Sequence, residues 1–150
     1  VGCHNTVCNS LIEGCTRMGT KVTEIAPIIN EPALDTELIG KARRTGLYET
    51  TLDVKKAVRD ADIVYTDTWV DMEFFLDPKF KEEKEKRIKL MKPYQINNEL
   101  LKGSDALIMH DMPIHRGYEI SAEAVESPNS IIYEQSENRL HSAKGILLML

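Results

Sequence analysis

The stretch "ADIVYTDTW", Ala61 to Trp69, places a short apolar run directly before Thr66, Asp67 and Thr68. A run of this length without polar alternation reads as a strand buried on both faces of a sheet. Its polar end is where the chain leaves that sheet. Three further stretches carry comparable polar clusters: "GCHNT" (2–6), "MHDMP" (109–113) and "EQSENR" (134–139). Helical patterns lie between the apolar runs. Strands that alternate with helices form parallel βαβ units. The expected fold is therefore α/β: a three-layer, doubly wound, mostly parallel sheet of Rossmann-like type, with helices on both faces. In such sheets ligands bind beyond the carboxyl ends of the strands, so the four polar clusters should converge at one edge.

Working outward, Val1-Gly2 reads as a strand end, and "TVCNSLIEGCTRM" as a helix with Val7, Leu11, Ile12 and Cys15 on its apolar face. Gly19 supplies a helix stop. "KVTEIAP" reads as a strand closed by Pro27, followed by a helix from Pro32 to Arg44 that stops at Gly46. "YETTL" is a strand, and Asp53 is placed to cap the helix "VKKAVRDA". A loop, "VDMEFFLDPKF", leads into a charged helix ending near Met91. "NNELLKG" is expected to be a short helix, "ALIMH" a strand, "SAEAVES" a helical turn capped by Ser121, and "NSIIYEQ" a strand. "ENRLHSAKGILLML" opens the last helix.

Composition bounds the function. The 150 residues are enough for one domain with a core, and 42% hydrophobic residues with 29% charged suit a globular protein. A net charge of −5 leaves no basic footprint for nucleic acid. The basic residues of "KFKEEKEKRIKLMK" alternate with Glu, as on a solvated helix face. No apolar run reaches the roughly 20 residues of a membrane span. Cys3, Cys8 and Cys15 lack the spacing of a zinc site, and Cys8 and Cys15 suit small apolar positions on one helix. Reduced thiols point to a cytoplasmic protein. Both ends of the chain, "VGCHN" and "GILLML", suggest one domain of a longer protein.

The residues allow several chemistries. No G-x-G-x-x-G follows Gly2, which argues against a dinucleotide, and there is no P-loop. Asp67, His110 and Asp111 lie at two strand ends expected on the same edge. Together they could act as an acid–base group, since a carboxylate beside an imidazole raises its pKa and fixes its tautomer. The same three could ligate a divalent ion, although no spaced metal motif supports it. His4 and His115 sit in loops, where each alone is more often solvated. Arg139 is expected at the N-terminus of the last helix, where it either serves an anion site or pairs with Glu134 or Glu137 at the surface.

Taken together, "VGCHNTVCNSLIEGCTRMGTKV", "DADIVYTDTWVDM", "EKEKRIKLMKPYQIN", "MHDMPIHRG" and "YEQSENRLHSAKGILL" resemble the carboxyl-terminal, amino-acid-binding domain of ornithine carbamoyltransferases. The resemblance covers nearly the whole chain, in order and with matching spacing. It implies residues 1–150 of a two-domain enzyme that works as a trimer and transfers a carbamoyl group from carbamoyl phosphate to the side-chain amine of ornithine, giving citrulline and phosphate. It implies no cofactor and no metal. The Ser-x-Arg-Thr signature for carbamoyl phosphate belongs to the family's amino-terminal domain, so this domain alone is expected to be inactive.

The resemblance also implies roles. Asp67 matches the Asp that holds the ornithine α-amino group, and Met72 the Met of the family's Ser-Met-Gly loop. His110 and Pro113 match the His and Pro of its His-Cys-Leu-Pro motif. Arg139 matches the Arg that contacts the carbamoyl oxygen, and Met112 would orient the nucleophile through its carbonyl. Asn5 keeps the first Asn of an Asn pair. The departures fall on the amine side. Thr6 replaces the second Asn, Asp71 and Glu73 replace the Ser and Gly of the loop, and Asp111 and Met112 replace Cys and Leu. Asp71 would repel a nearby carboxylate and favour a cation. Asp111 would hold an ammonium, and it could take the amine's proton only if its surroundings raise its pKa. Ornithine is the default substrate. The alternatives are another amine or amide substrate, or a non-catalytic relative that binds a metabolite.

Overall fold

The computed structural model describes residues 1–70 and 76–150. Three parallel strand pairs form its centre. Strand β1 (Cys3–His4) pairs with β3 (Ile28–Ile29), β2 (Val22–Glu24) with β4 (Tyr48–Thr50), and β5 (Ile63–Thr66) with β6 (Leu107–His110). Backbone bonds join the pairs. Gly2 N–H donates to Ile25 O at 3.0 Å, and Val1 N donates to Tyr65 O at 2.7 Å. The order across the fold is thus β4, then β2 with β3 following it along the same side of β1, then β1, β5 and β6, with residues 129–131 added beyond β6 through Ile108. The chain starts in the middle and winds outward in both directions, as a doubly wound α/β fold requires.

Helices cover both faces. Helix α1 (Thr6–Arg17) and α2 (Thr36–Arg44) bury Ile12 and Ala42 with Val22 and Tyr48. On the opposite face α3 (Val54–Arg59), the short α5 (Ala122–Val125) and the start of α6 (Ile132–Met149) enclose Ile25, Val64 and Ile108. Val22 and Ile25, an odd number of residues apart on one segment, go to different layers, as strand alternation demands. The charged helix α4 (Lys81–Met91) turns most residues outward and buries Met91 against Trp69 and Val70.

Caps set the helix starts. Asn5, Asp35, Asp53 and Ser121 each accept a backbone N–H three residues on. Asp35 therefore starts α2 at Thr36, later than the expected Pro32, while residues 31–33 form a short 3-10 turn. Two other expectations change. "NNELLKG" forms turns and not a helix. "NSIIYEQ" contributes a single strand-like contact, Ile108 with Ser130, and the helix begins at Ile132. Its apolar β-branched residues look like a strand because Ile131 still bonds to Ile108 before the chain coils. Asp71, Met72 and Glu73 lie outside the described residues.

Candidate functional site

The carboxyl ends of β1, β3, β5 and β6 open into a cleft of about 290 Å³, lined by Asn5, Thr6, Asn30, Asp67, Thr68, Asp111, Met112 and Pro113. This is the switch point of the sheet, between β1 and β5, where doubly wound folds hold ligands. Polar clusters two to three segments apart in sequence meet here because parallel strands end on the same edge.

The first side of the cleft is tied together by Asn5. Its Oδ1 caps α1 by accepting from Cys8 N–H (3.0 Å), and its Nδ2 donates to Asp67 Oδ2 (2.7 Å). Asp67 Oδ1 accepts from Thr68 N–H at 2.6 Å. Asp67 is thus held by two donors and fixed in place. Gly2, at φ +152°, brings β1 close to the Asp67 backbone, with an added Cβ lying 3.6 Å from Asp67 O.

Asp111 faces this group from β6. Burial, and then the nearby Asp67 charge, push its carboxyl up to about 6. Its Oδ1 is buried, has no hydrogen-bond partner among the described residues, and lies 3.4 Å from His110 Nδ1. Tyr65 lies in the same field. Burial, followed by the Asp111 charge, pushes its hydroxyl up to about 12, and the Arg139 charge opposes this.

His110 is 1% exposed and sits beneath the cleft. Its Nδ1 accepts from Met112 N–H at 2.9 Å, so Nε2 carries the proton and donates to Glu119 Oε1 at 3.2 Å. Glu119 is fully buried, and the same oxygen accepts from His115 N–H at 2.6 Å. Gln135 accepts from the His110 N–H at 2.9 Å. Both ring nitrogens are therefore occupied within the protein. The imidazole shapes the 110–113 turn, in which Met112 takes φ +58°. The ring meets the cleft through the turn it holds and through Asp111, whose Oδ1 lies 3.4 Å from Nδ1. The three groups considered from sequence do come together, with His110 Nδ1 3.4 Å from Asp111 Oδ1 and Asp111 in the field of Asp67, while the ring's hydrogen bonds run to Met112 N–H and Glu119.

Arg139 is exposed on α6, about two turns inside the helix. The expected position at the helix N-terminus is corrected, because α6 starts at Ile132 and the dipole fades within the first turn. His115 is half-buried and packs its ring edge-on to Tyr118. His4 is 2% exposed and bonded to Glu24, not solvated. Asn30 and Glu119 were not singled out from sequence, and Thr68 and Gln135 entered only as members of their polar clusters. Asn30 and Thr68 directly flank strand ends, a signal that was available. Glu119 gives no local cue beyond its spacing from His115.

The whole chain, residues 1–150, matches the family model described as "Aspartate/ornithine carbamoyltransferase, Asp/Orn binding domain". An ornithine carbamoyltransferase of Archaeoglobus fulgidus is 42% identical over all of this chain and 47% of its own length. One from Methanosarcina mazei is 40% identical over all of this chain and 48% of its own. Among solved structures, the ornithine carbamoyltransferase of Pyrococcus furiosus superposes with a TM-score of 0.80 at 36% identity, covering 97% of this chain and 46% of that one. The chain spans about half the length of the curated relatives it matches.

Proposed function

The chain belongs to the aspartate/ornithine carbamoyltransferase family, as its Asp/Orn-binding domain, and on that premise we propose that the full protein transfers a carbamoyl group from carbamoyl phosphate to the side-chain amine of ornithine. Citrulline and phosphate are the products. Residues 1–150 supply the amine side, and an amino-terminal domain supplies the carbamoyl-phosphate signature. The single observation that carries this assignment is the cleft where Asp67 and Asp111 face each other beside Asn5 and Thr6.

The chemistry follows from those residues. Only a neutral amine attacks the carbamoyl carbon. Asp67, fixed by Asn5 and Thr68, holds an ammonium group of the substrate. Asp111, which lines the cleft beside Asp67, receives the amine that reacts. At about 6 its carboxyl still lies below an alkyl ammonium, so proton transfer to it is uphill by about 6 kcal/mol, compared with about 9 kcal/mol for an unshifted Asp. The raised value thus eases deprotonation while leaving Asp111 ionised at neutral pH. The Met112 carbonyl orients the nucleophile, with Pro113 shaping the turn that carries it. His110 acts as a positioning residue through that turn. Arg139 reaches the carbamoyl oxygen from the exposed face of α6. The resemblance assigns Asp71 and Met72 to the amine side as well. Preorganised donors and orientation do most of the work.

The same family frame suggests a homotrimer when full length, located in the cytoplasm, with no resident cofactor. No helix among the described residues is long and apolar enough to cross a membrane.

A second possibility is favoured by Thr6 and Asp111, which change the amine side: transfer to a different amine or amide. A solved N-acetyl-L-ornithine transcarbamylase, 27% identical over 95% of this chain, shares the fold at a TM-score of 0.75. Phosphate release from carbamoyl phosphate by the full-length protein, with L-ornithine, lysine, putrescine and agmatine against an amine-free blank, tests both. Release with ornithine supports the assignment. Release with another amine alone moves the substrate, and release with none favours a non-catalytic relative.

A further inference from the structure

Behind the cleft, three different ligand groups meet at the first turn of α1. His4 Nδ1 lies 2.6 Å from Glu24 Oε1, and Cys8 Sγ lies 3.1 Å from the same oxygen. The Tyr48 hydroxyl donates to Glu24 Oε2. The imidazole, thiol and carboxylate ligand atoms are all within 4.8 Å of one another. His4 is 2% exposed, and the Glu24 side chain 9%. Bonds of about 2.0–2.3 Å from nitrogen, oxygen and sulfur to one tetrahedral ion place its ligands about 3.5 Å apart, a spacing this cluster can reach with small side-chain movements.

We propose that His4, Cys8 and Glu24 form a binding site for a zinc-like divalent cation, with the Tyr48 hydroxyl or a water as fourth donor. The mixed set of imidazole, thiolate and carboxylate suits a borderline ion and not calcium or magnesium. Thiolate and carboxylate together balance its two positive charges. On binding, Cys8 releases its thiol proton to solvent and donates the freed sulfur lone pair. The His4 ring remains neutral: its proton moves to Nε2 and Nδ1 becomes the ligand. One proton leaves overall, and no oxidation occurs. The ligands come from β1, β2 and α1, so no short Cys/His spacing announces the site in sequence.

The role is structural. Cys8 N–H donates to Asn5, and Asn5 holds Asp67. An ion at Cys8 therefore braces the turn that presents Asn5 and Thr6 to the cleft. The site stands independently of the transferase assignment, because its readout is the metal itself.

The test strips the full-length protein with a chelator, adds zinc or cobalt(II), desalts it and counts retained metal. One equivalent per chain is expected, with a thiolate-to-cobalt charge-transfer band that Cys3→Ala and Cys15→Ala keep and that Cys8→Ser and His4→Gln lose. X-ray absorption on the zinc-loaded wild type does not depend on any variant folding. It is expected to show one sulfur near 2.3 Å together with imidazole scattering. No retained metal, an all-oxygen shell, or a band unchanged by Cys8→Ser means an adventitious ion only and overturns the site.

Discussion

Glu24 and Asp111 are both carboxylates at strand ends, and their surroundings treat them in opposite ways. Burial pushes Glu24 up, but hydrogen bonds from Tyr48, Cys8 and His4 outweigh it, and its carboxyl ends below the usual range. Burial and the Asp67 charge push Asp111 up to about 6, and its Oδ1, 3.4 Å from His110 Nδ1, accepts no hydrogen bond among the described residues. The difference teaches where fold and function part. Three donors around Glu24 hold β1, β2, β4 and α1 together. Asp111 lines the cleft, and in the proposed reaction it meets the substrate's amine there.

The contrast can be broken or sharpened in several ways. The largest effect is expected from Glu24→Ala. Removing the acceptor strands three buried donors and should cost about 3–5 kcal/mol, read from urea unfolding at pH 7. A cost below about 1 kcal/mol would show that this network is not what holds the strands. His110→Ala comes next. It leaves Glu119 buried without its ring partner and frees the Met112 N–H, for an expected loss of about 2–4 kcal/mol. With His110 proposed as a positioning residue, stability should fall first. In the full-length protein the surviving folded fraction should show a lower kcat, while KM for carbamoyl phosphate stays near its wild-type value. A fully stable but inactive His110→Ala would return the ring to direct chemistry.

Asp111→Asn should move stability the other way. A raised carboxyl costs stability above its unfolded value, so the amide should gain up to about 1 kcal/mol at pH 7 and nothing at pH 4, where the wild-type group is already protonated. The pH profile gives the smallest effect. Between pH 6 and about 4, protonation of Asp111 relieves its cost, and stability should rise slightly as pH falls. Below about 4.5 the Glu24 contribution, present above the unfolded pKa, is lost as pH falls through its lowered folded value. The two slopes have opposite sign, and Asp111→Asn should remove only the first.

The fold was largely legible from the sequence, and the reason is local. The run Ile63–Tyr65, the caps Asp53 and Ser121, and the stops Gly19 and Gly46 each act through their immediate neighbours. Where the register depends on a distant strand, sequence patterning failed. Ile131 and Ile132 look like a strand, yet only the edge beyond β6 decides how far pairing runs. The cleft was legible in Asp67, Asp111, Asn5 and Thr6 because parallel strand ends converge by topology. The roles of His4, Cys8, Glu24 and Glu119 were not legible. Their partners lie on other segments, so His4 resembles a loop residue and Cys8 an apolar filler until the strands are paired.

The most direct test of this contrast is a pair of readings on Asp111→Asn in the full-length protein: phosphate release from carbamoyl phosphate with saturating ornithine, and the thermal midpoint of the same sample. Turnover is expected to fall by about 100-fold or more with the midpoint unchanged or raised. Turnover within a few-fold of wild type, or a midpoint lowered together with activity, would contradict this and make Asp111 a structural residue like Glu24.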